Sequence, residues 1–412
     1  DKQSGIRVVT LRERRPSFVG SLRATNFYIP YAGETFAWSP DSRHIAFITA
    51  TEEPTTALAT ATASPTPARA DDPRIIDRIQ YKSRTSFSDR LRTQVCVVDV
   101  DASTADEAII QQLTVGQFYN HAVAWSPRGD EIAFLSNHEP DPEANNNSDI
   151  FVVDMKRRVR QITDTKGCEY EPAWSPDGKW IAYTATKRDV TTIDSVAEDA
   201  HVWVIDAGGG KGRELTAQQD RRARSPKWSS DSQSIFFLSS YNGTVGIYGV
   251  EPEGGTIFMF FSRIIDESLI LNRPASVPRT RASPPNYISS FSISARSAPL
   301  FSFILSDTVF AGEVWIGSPG TRPPRRELRR VSAHNDALIN SLTLIEPETI
   351  DFKSFDGTII QGWLMKPVGW RADRRYPLIL SIHGGPHGMY GYGFNATFQA
   401  YAARGYAVLY LN

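Results

Sequence analysis

Four stretches of this chain superimpose almost letter for letter. They are FAWSPDSRHIAFIT from Phe36, VAWSPRGDEIAFLS from Val123, PAWSPDGKWIAYTA from Pro172 and PKWSSDSQSIFFLS from Pro226. Their tryptophans, Trp38, Trp125, Trp174 and Trp228, stand 87, 49 and 54 residues apart. A unit of this size cannot bury its apolar surface alone, so the copies must stack on one another. Within each copy, Ser-Pro-Asp-Gly or a variant of it supplies a turn, with Pro fixing one backbone angle and Gly or Ser accepting a positive one. Apolar residues such as Ile181 and Tyr183 then alternate, as in a strand. A second strand pair follows each copy: TQVCVVDV from Thr93, SDIFVVDM from Ser148 and AHVWVIDA from Ala200, with YNGTVGIYGV as a looser version. One repeat is therefore about four short strands over about 50 residues, the pattern of a β-propeller blade.

A degenerate fifth copy is read at ISSFSISARSAPLFSFILSD from Ile288, closed by GEVWIGS from Gly312. Five blades are recognisable and up to seven are allowed. The repeated tryptophans are read as packing between adjacent blades, and the turn aspartates as turn formers. The long first interval is explained by a Thr-, Ala- and Pro-rich insertion at 51–73, which is expected to be flexible because it has few large apolar residues. The basic stretch after it, RIIDRIQYKSRTSFSDRLR, is read as a solvated loop or edge strand. Residues 257–285 fit the repeat poorly and are expected to form an irregular blade.

After residue 345 the pattern changes. TIDFKSFDGTIIQGWLMKPVGW reads as a hairpin about Asp356-Gly357. PLILSIH is a continuous apolar run, as in a strand covered on both faces. HGGPHGMYGYG is a glycine-rich loop. FNATFQAYAARG has apolar residues near helical spacing, with Gly405 placed as a C-terminal cap, and YAVLYLN is a second apolar strand. Strand, loop, helix, strand is the βαβ unit of a parallel sheet, whose functional loops sit at the carboxyl ends of its strands. His383-Gly384-Gly385-Pro386 falls at such an end. Paired glycines there let main-chain N–H groups approach a substrate, and such donors stabilise the oxyanion of acyl transfer. An HGGG-type loop has this role in α/β-hydrolases.

The combination of WSPDG repeats, FKSFDGTIIQGWLMKP, PLILSIHGGPHG and YAVLYLN resembles the prolyl oligopeptidase family, nearest its acylaminoacyl-peptidase and dipeptidyl-aminopeptidase branch. The resemblance covers nearly the whole chain. It implies an all-β propeller over 1–345 followed by the start of an α/β-hydrolase domain over 346–412, with the nucleophile elbow still to come. It implies a serine peptidase acting on short peptides and releasing acylated residues or dipeptides. Backbone at Gly385, and next at Gly384, would form the oxyanion hole, while His383, Pro386 and His387 would shape the loop. No serine in the 412 residues has glycines two before and two after it. The triad Ser, Asp and His are therefore expected outside this sequence, and this piece alone is expected to be inactive. The alternative is a TolB-like propeller that binds partners without chemistry. The oxyanion loop weighs against it.

Composition excludes other classes. A net charge of −1 gives no electrostatic footprint for nucleic acid or an anionic membrane. No apolar run is long enough to span a bilayer. Cys96 and Cys168 are too few for a disulfide framework and are expected as free buried thiols. The seven histidines are scattered. Only His383 and His387 stand at ligand spacing, with no third ligand, so neither metal nor cofactor is expected. The chain lacks an initiating Met and is read as processed or as a piece of a longer protein. A cytoplasmic location is expected, or a periplasmic or secreted one if a signal was removed. Relatives of this type often associate, which leaves a homo-oligomer open.

Overall fold

The computed structural model describes residues 5–8, 17–21, 33–52, 76, 79–83, 86–87, 89, 91–100, 110–190, 200–261, 286–295, 299–318, 328–384 and 388–412. A two-stranded hairpin, β1 (Gly5–Val8) and β2 (Ser17–Ser21), comes first. Each repeat then folds as one four-stranded antiparallel sheet. The first contains β3 (Phe36–Trp38), β4 (His44–Glu52), β7 (Leu91–Asp99) and β8 (Ile110–Gln112), with the short pair β5 (Lys82–Ser83) and β6 (Ser86–Phe87) between β4 and β7 in sequence. Thr51 and Glu52 extend β4. The rest of the expected flexible insertion lies outside the described residues, as does most of the poorly fitting 257–285 stretch.

The second sheet is β9 (His121–Trp125), β10 (Glu131–Ser136), β11 (Asp149–Asp154) and β12 (Val159–Gln161). The third is β13 (Glu169–Trp174), β14 (Trp180–Ala185), β15 (His201–Asp206) and β16 (Arg213–Glu214). The fourth is β17 (Ala223–Trp228), β18 (Ile235–Tyr241), β19 (Thr244–Val250) and β20 (Phe258–Phe261). The degenerate fifth copy is also four-stranded: β21 (Tyr287–Ile293), β22 (Phe301–Ser306), β23 (Glu313–Gly317) and β24 (Leu328–Arg330). A single parallel pairing, Val245 with Tyr287, joins these last two sheets along one edge.

The turn chemistry is reproduced from copy to copy. Ser39, Ser175 and Ser229 donate Oγ–H to the Asp two residues on, at 2.5, 2.6 and 2.6 Å. Each also accepts the backbone N–H five residues on, at 2.9 Å. The Ser39 and Ser229 hydrogen bonds are the main reason the Asp41 and Asp231 carboxyls sit below the usual range. In the second copy the order is Arg-Gly-Asp, so Ser126 reaches Asp130 instead, at 2.8 Å. The fourth turn position carries the positive angle, with φ of +60° at Ser42, +74° at Gly178 and +61° at Ser232.

Two compact units divide the chain: Asp1–Val196 with Trp203–Arg213, and Ala197–Val202 with Glu214–Asn412. In the first unit the second sheet is covered on both faces. Ile132, Phe134, Phe151 and Val153 pack against Ala46, Val95 and Val97 of the first sheet. Ala133, Leu135, Ile150 and Val152, on the opposite face, pack against Ile181, Tyr183, Ala185 and Ile205 of the third. This double coverage is why these strands read as continuous apolar runs, and each fully buried large side chain contributes about 1.5–3 kcal/mol. The repeat tryptophans fasten successive sheets: Trp125 Nε1 donates to the Ala37 carbonyl (3.0 Å) and Trp174 Nε1 to that of Ala124 (3.1 Å). Each acceptor immediately precedes the tryptophan of the preceding copy. Cys96 and Cys168 are free and buried.

In the second unit the fourth and fifth sheets share an aromatic core, with Phe236 edge-on to Phe301 at 4.9 Å. A short helix, α1 (Asp336–Ser341), leads to the last sheet. There β25 (Glu348–Lys353) and β26 (Ile359–Met365) form the expected hairpin, with Gly357 at φ +87°. β27 (Leu378–Ile382), α2 (Ala396–Ala403) and β28 (Ala407–Leu411) follow. β27 and β28 are parallel, and the strand order is β25-β26-β28-β27. The Asn395 side chain caps α2 by accepting from Phe398 N (3.1 Å), and Gly405 turns away at φ +90°.

PLILSIH reads as a strand buried on both faces; within these 412 residues Leu378, Leu380 and Ile382 are exposed, Ile382 by 73%. β27 is an edge strand, and no described residue covers that face. None of the described helices is long and apolar enough to cross a membrane.

Candidate active site

The loop that leaves β27 begins at the carboxyl end of a parallel strand. His383 and Gly384 are described, whereas Gly385, Pro386 and His387 lie outside the described residues. His383 Nδ1 lies 3.0 Å from the Gly384 carbonyl, and its ring is edge-on to Tyr390 at 6.0 Å. Gly384 is exposed, and a Cβ built on it would meet nothing within 4 Å. An open approach of this kind is what a substrate-facing backbone needs.

Close packing requires two later glycines and disfavours a side chain at a third. A Cβ on Gly388 would fall 2.0 Å from the Gly384 carbonyl oxygen, so the loop closes on itself only without a side chain there. A Cβ on Gly391 would fall 2.1 Å from the Gly243 carbonyl oxygen, and one on Gly393 would press on the Tyr287 ring at 3.3 Å. Tyr392 N also donates to Gly243 O (2.8 Å), and Gly243 (φ +75°) sits under Trp363, where a Cβ would be 2.5 Å from the ring. Gln399 on α2 ties three segments together: it accepts from Ile345 N (2.9 Å) and donates to the carbonyls of Ile345 (2.9 Å) and Thr308 (3.0 Å). Through these contacts the loop is held from both the last strands and the fourth and fifth sheets.

Sequence reasoning missed the clamp on the far end of the loop. Asn412, just past β28, accepts from Tyr390 N (2.7 Å) and donates to Tyr390 O (3.0 Å), so one amide satisfies both main-chain groups of that residue. Its own N–H donates to Gln361 O (2.9 Å), which anchors it to β26. Tyr390 OH pairs with Ser381 Oγ (2.7 Å), and its ring packs on Tyr410 and Phe398. The loop thus starts next to Ser381 and returns to it through Tyr390. A Ser, a Tyr and an Asn this far apart carry no sequence signal. The Tyr-Gly alternation of MYGYG is the one visible hint.

Elsewhere, His121 and Ser148 approach at 3.5 Å, but both are buried, and desolvation holds the His121 pKa at about 3. That environment suits a neutral core histidine. Among the described residues no three His, Cys, Asp or Glu side chains are grouped to hold a metal ion.

No family model matches the chain. YuxL of Bacillus subtilis (strain 168), named an uncharacterized peptidase, is 25% identical over 325 residues, 64% of this chain and 45% of its own length. Dipeptidyl-peptidase 5 of Arthroderma otae is 26% identical over 302 residues, 69% of this chain and 37% of its own. The chain therefore spans less than half the length of these curated relatives. An acylaminoacyl peptidase solved in complex with Z-Gly-Gly-Phe-chloromethyl ketone shares the fold over 100% of this chain and 54% of its own, with a TM-score of 0.67 at 18% identity. With the repeats, the glycine loop and the βαβ unit all in place, the chain is similar to peptidases of the prolyl oligopeptidase family.

Proposed function

We propose that this chain is the propeller and oxyanion-loop portion of a serine peptidase that releases acylated residues or dipeptides from the N-termini of short peptides. In this reading the five four-stranded sheets are propeller blades that limit access to small or unfolded peptides, and residues 346–412 open an α/β-hydrolase domain. A serine from beyond Asn412 attacks the scissile carbonyl. A histidine, oriented by an aspartate, takes the serine proton and then protonates the leaving amine. Main-chain N–H groups at Gly385 and Gly384 receive the oxyanion, and losing one such donor costs about 3–4 kcal/mol of barrier.

The observation that carries this reading is the glycine loop itself. It stands at the carboxyl end of a parallel strand, is open at Gly384, and is fixed at its far end by Asn412. A scaffold protein has no need of a backbone held open in this way. The test uses the protein whose reading frame continues past Asn412. It should hydrolyse an acetyl-aminoacyl or a dipeptidyl p-nitroanilide and lose that activity when the elbow serine is replaced by alanine. A folded, extended protein that turns over neither substrate refutes the proposal.

A further inference from the structure

The hairpin joining β18 to β19 ends in a two-residue turn, Asn242-Gly243, between the paired residues Tyr241 and Thr244. Both turn residues are left-handed, with φ of +47° and +75°, as a tight hairpin of this length requires. Thr244 Oγ1 closes the turn on the Tyr241 carbonyl (2.6 Å). A hairpin tip is ordinarily solvated, and Asn242 is exposed, yet Gly243 is buried. The tip also stands at a seam. Two residues on, Val245 makes the parallel pairing with Tyr287 that joins the fourth and fifth sheets, and its N–H donates to Asn286 O (3.3 Å).

Gly243 is buried by Trp363 and by the arm of the glycine loop that returns to α2. Gly391 lies so close that a Cβ on it would fall 2.1 Å from the Gly243 oxygen and 2.9 Å from its carbonyl carbon. Tyr392 N donates to the same oxygen, and Gly393 lies against the Tyr287 ring. Met389 packs on the aromatic core that the fourth and fifth sheets share. On the other side, Tyr392 Oη pairs with Thr349 Oγ1 (3.0 Å), and its ring is edge-on to Trp363 at 5.4 Å. Met389, Gly391, Tyr392 and Gly393 therefore all meet the repeat sheets, whereas the Asn412 clamp bonds to Tyr390. Gly388 precedes this arm directly and closes on the Gly384 carbonyl, so a shift of the arm reaches the open backbone within a few residues.

We infer that Gly243 is a positioning residue for acyl transfer: the hairpin tip seats the arm across the seam between the fourth and fifth sheets, and that seating fixes the path of the loop at Gly384. The inference rests on the peptidase reading and goes beyond it, because there the repeat sheets only limit access. Gly243 acts through the arm.

The test compares variants of the protein extended past Asn412. Gly391→Ala sets a Cβ against the Gly243 backbone, where no flexible side chain can yield, so the arm must leave the tip. Turnover of the p-nitroanilide should then show kcat lower by about tenfold or more and KM changed by less than about twofold, the split expected when only transition-state geometry is lost. Gly243→Ala crowds the contact from the other side, its Cβ 2.5 Å from the Trp363 ring, and should give the same split. Gly254→Ala is the control. It lies beyond the other end of β19 at φ +91°, and its Cβ would meet nothing within 4 Å. It carries the strain of a left-handed alanine without touching the arm, and should keep the wild-type kcat. Hydrogen exchange at 389–393 should quicken in Gly391→Ala and not in Gly254→Ala. An active wild type whose kcat survives Gly391→Ala, or falls as far in Gly254→Ala, overturns the inference and leaves the peptidase reading standing. So does exchange at 389–393 that Gly391→Ala leaves unchanged. A folded wild type that turns over neither substrate defeats the peptidase reading, and the inference with it.

Discussion

The second sheet and the last sheet of this chain are both four-stranded and both apolar, yet they are built for different surroundings. In the second, alternate residues of β10 and β11 face opposite directions and both sets are buried. In the last, Trp363, Met365, Val408 and Tyr410 pack with Phe398 and Ala402 of α2 on one side. Leu378, Leu380 and Ile382 point away from that core and are exposed. The first arrangement makes a scaffold whose two central strands are interior. The second makes an edge strand whose tip carries an open glycine loop.

The largest effect should come from the doubly covered sheet. Phe134→Ala removes a ring packed between two sheets and should cost about 3–5 kcal/mol in denaturant unfolding of the first unit. In the 412-residue chain Leu380→Ala, on a residue 52% exposed, should cost about 0.5 kcal/mol or less. Equal losses at the two positions would end the distinction drawn between the sheets.

Next comes the loop. Gly388→Ala cannot keep the present loop path, because its Cβ would overlap the Gly384 carbonyl. On the proposed function, in the protein extended past Asn412, it should lower kcat about 100-fold or more, the scale expected when reacting groups are misplaced by about 1 Å. Asn412→Ala leaves both main-chain groups of Tyr390 without their present partner, and should lower kcat about 10- to 100-fold with KM little changed. Wild-type kcat in both variants would mean that the loop plays no part in the chemistry.

Asp149 tests the scaffold through pH. Its carboxyl is pushed up to about 6, mainly by burial, and against this by hydrogen bonds from Thr165 N and Thr163 Oγ1. A raised folded-state pKa favours folding when the group is protonated, and that contribution fades as pH rises through about 6. Asp149→Asn should therefore unfold at higher denaturant than wild type at pH 8, by up to about 3 kcal/mol, and the gap should close below pH 4. A pH-independent difference would show that the carboxyl is not stressed. A smaller effect than that of Asp149 is expected at the inter-sheet staple. Trp125→Phe loses the bond to the Ala37 carbonyl and should cost about 1 kcal/mol.

Much of the scaffold was legible in the sequence because its repeats state it several times over. Each copy shows a turn and a strand in the same order, the second and third add an inter-sheet hydrogen bond from the tryptophan, and even the degenerate copy at Ile288 folds as expected. The βαβ unit was legible from the apolar spacing of α2 and Gly405. The exposure of β27 was not, since an apolar run looks the same whether one face or two are covered. The Asn412 clamp and the Gln399 tie were hidden for a different reason. They join ordinary residue types across 22, 54 and 91 positions, and local pattern carries no record of such pairings.

Labelling with a fluorophosphonate tests the central claim most directly, because the reagent needs both an activated serine and a formed oxyanion hole. The account predicts that the protein extended past Asn412 is labelled at one serine beyond that residue, that Gly388→Ala slows the labelling strongly, and that the 412-residue chain takes no label. A folded, extended protein that stays unlabelled, or a label on a serine within these 412 residues, would contradict it.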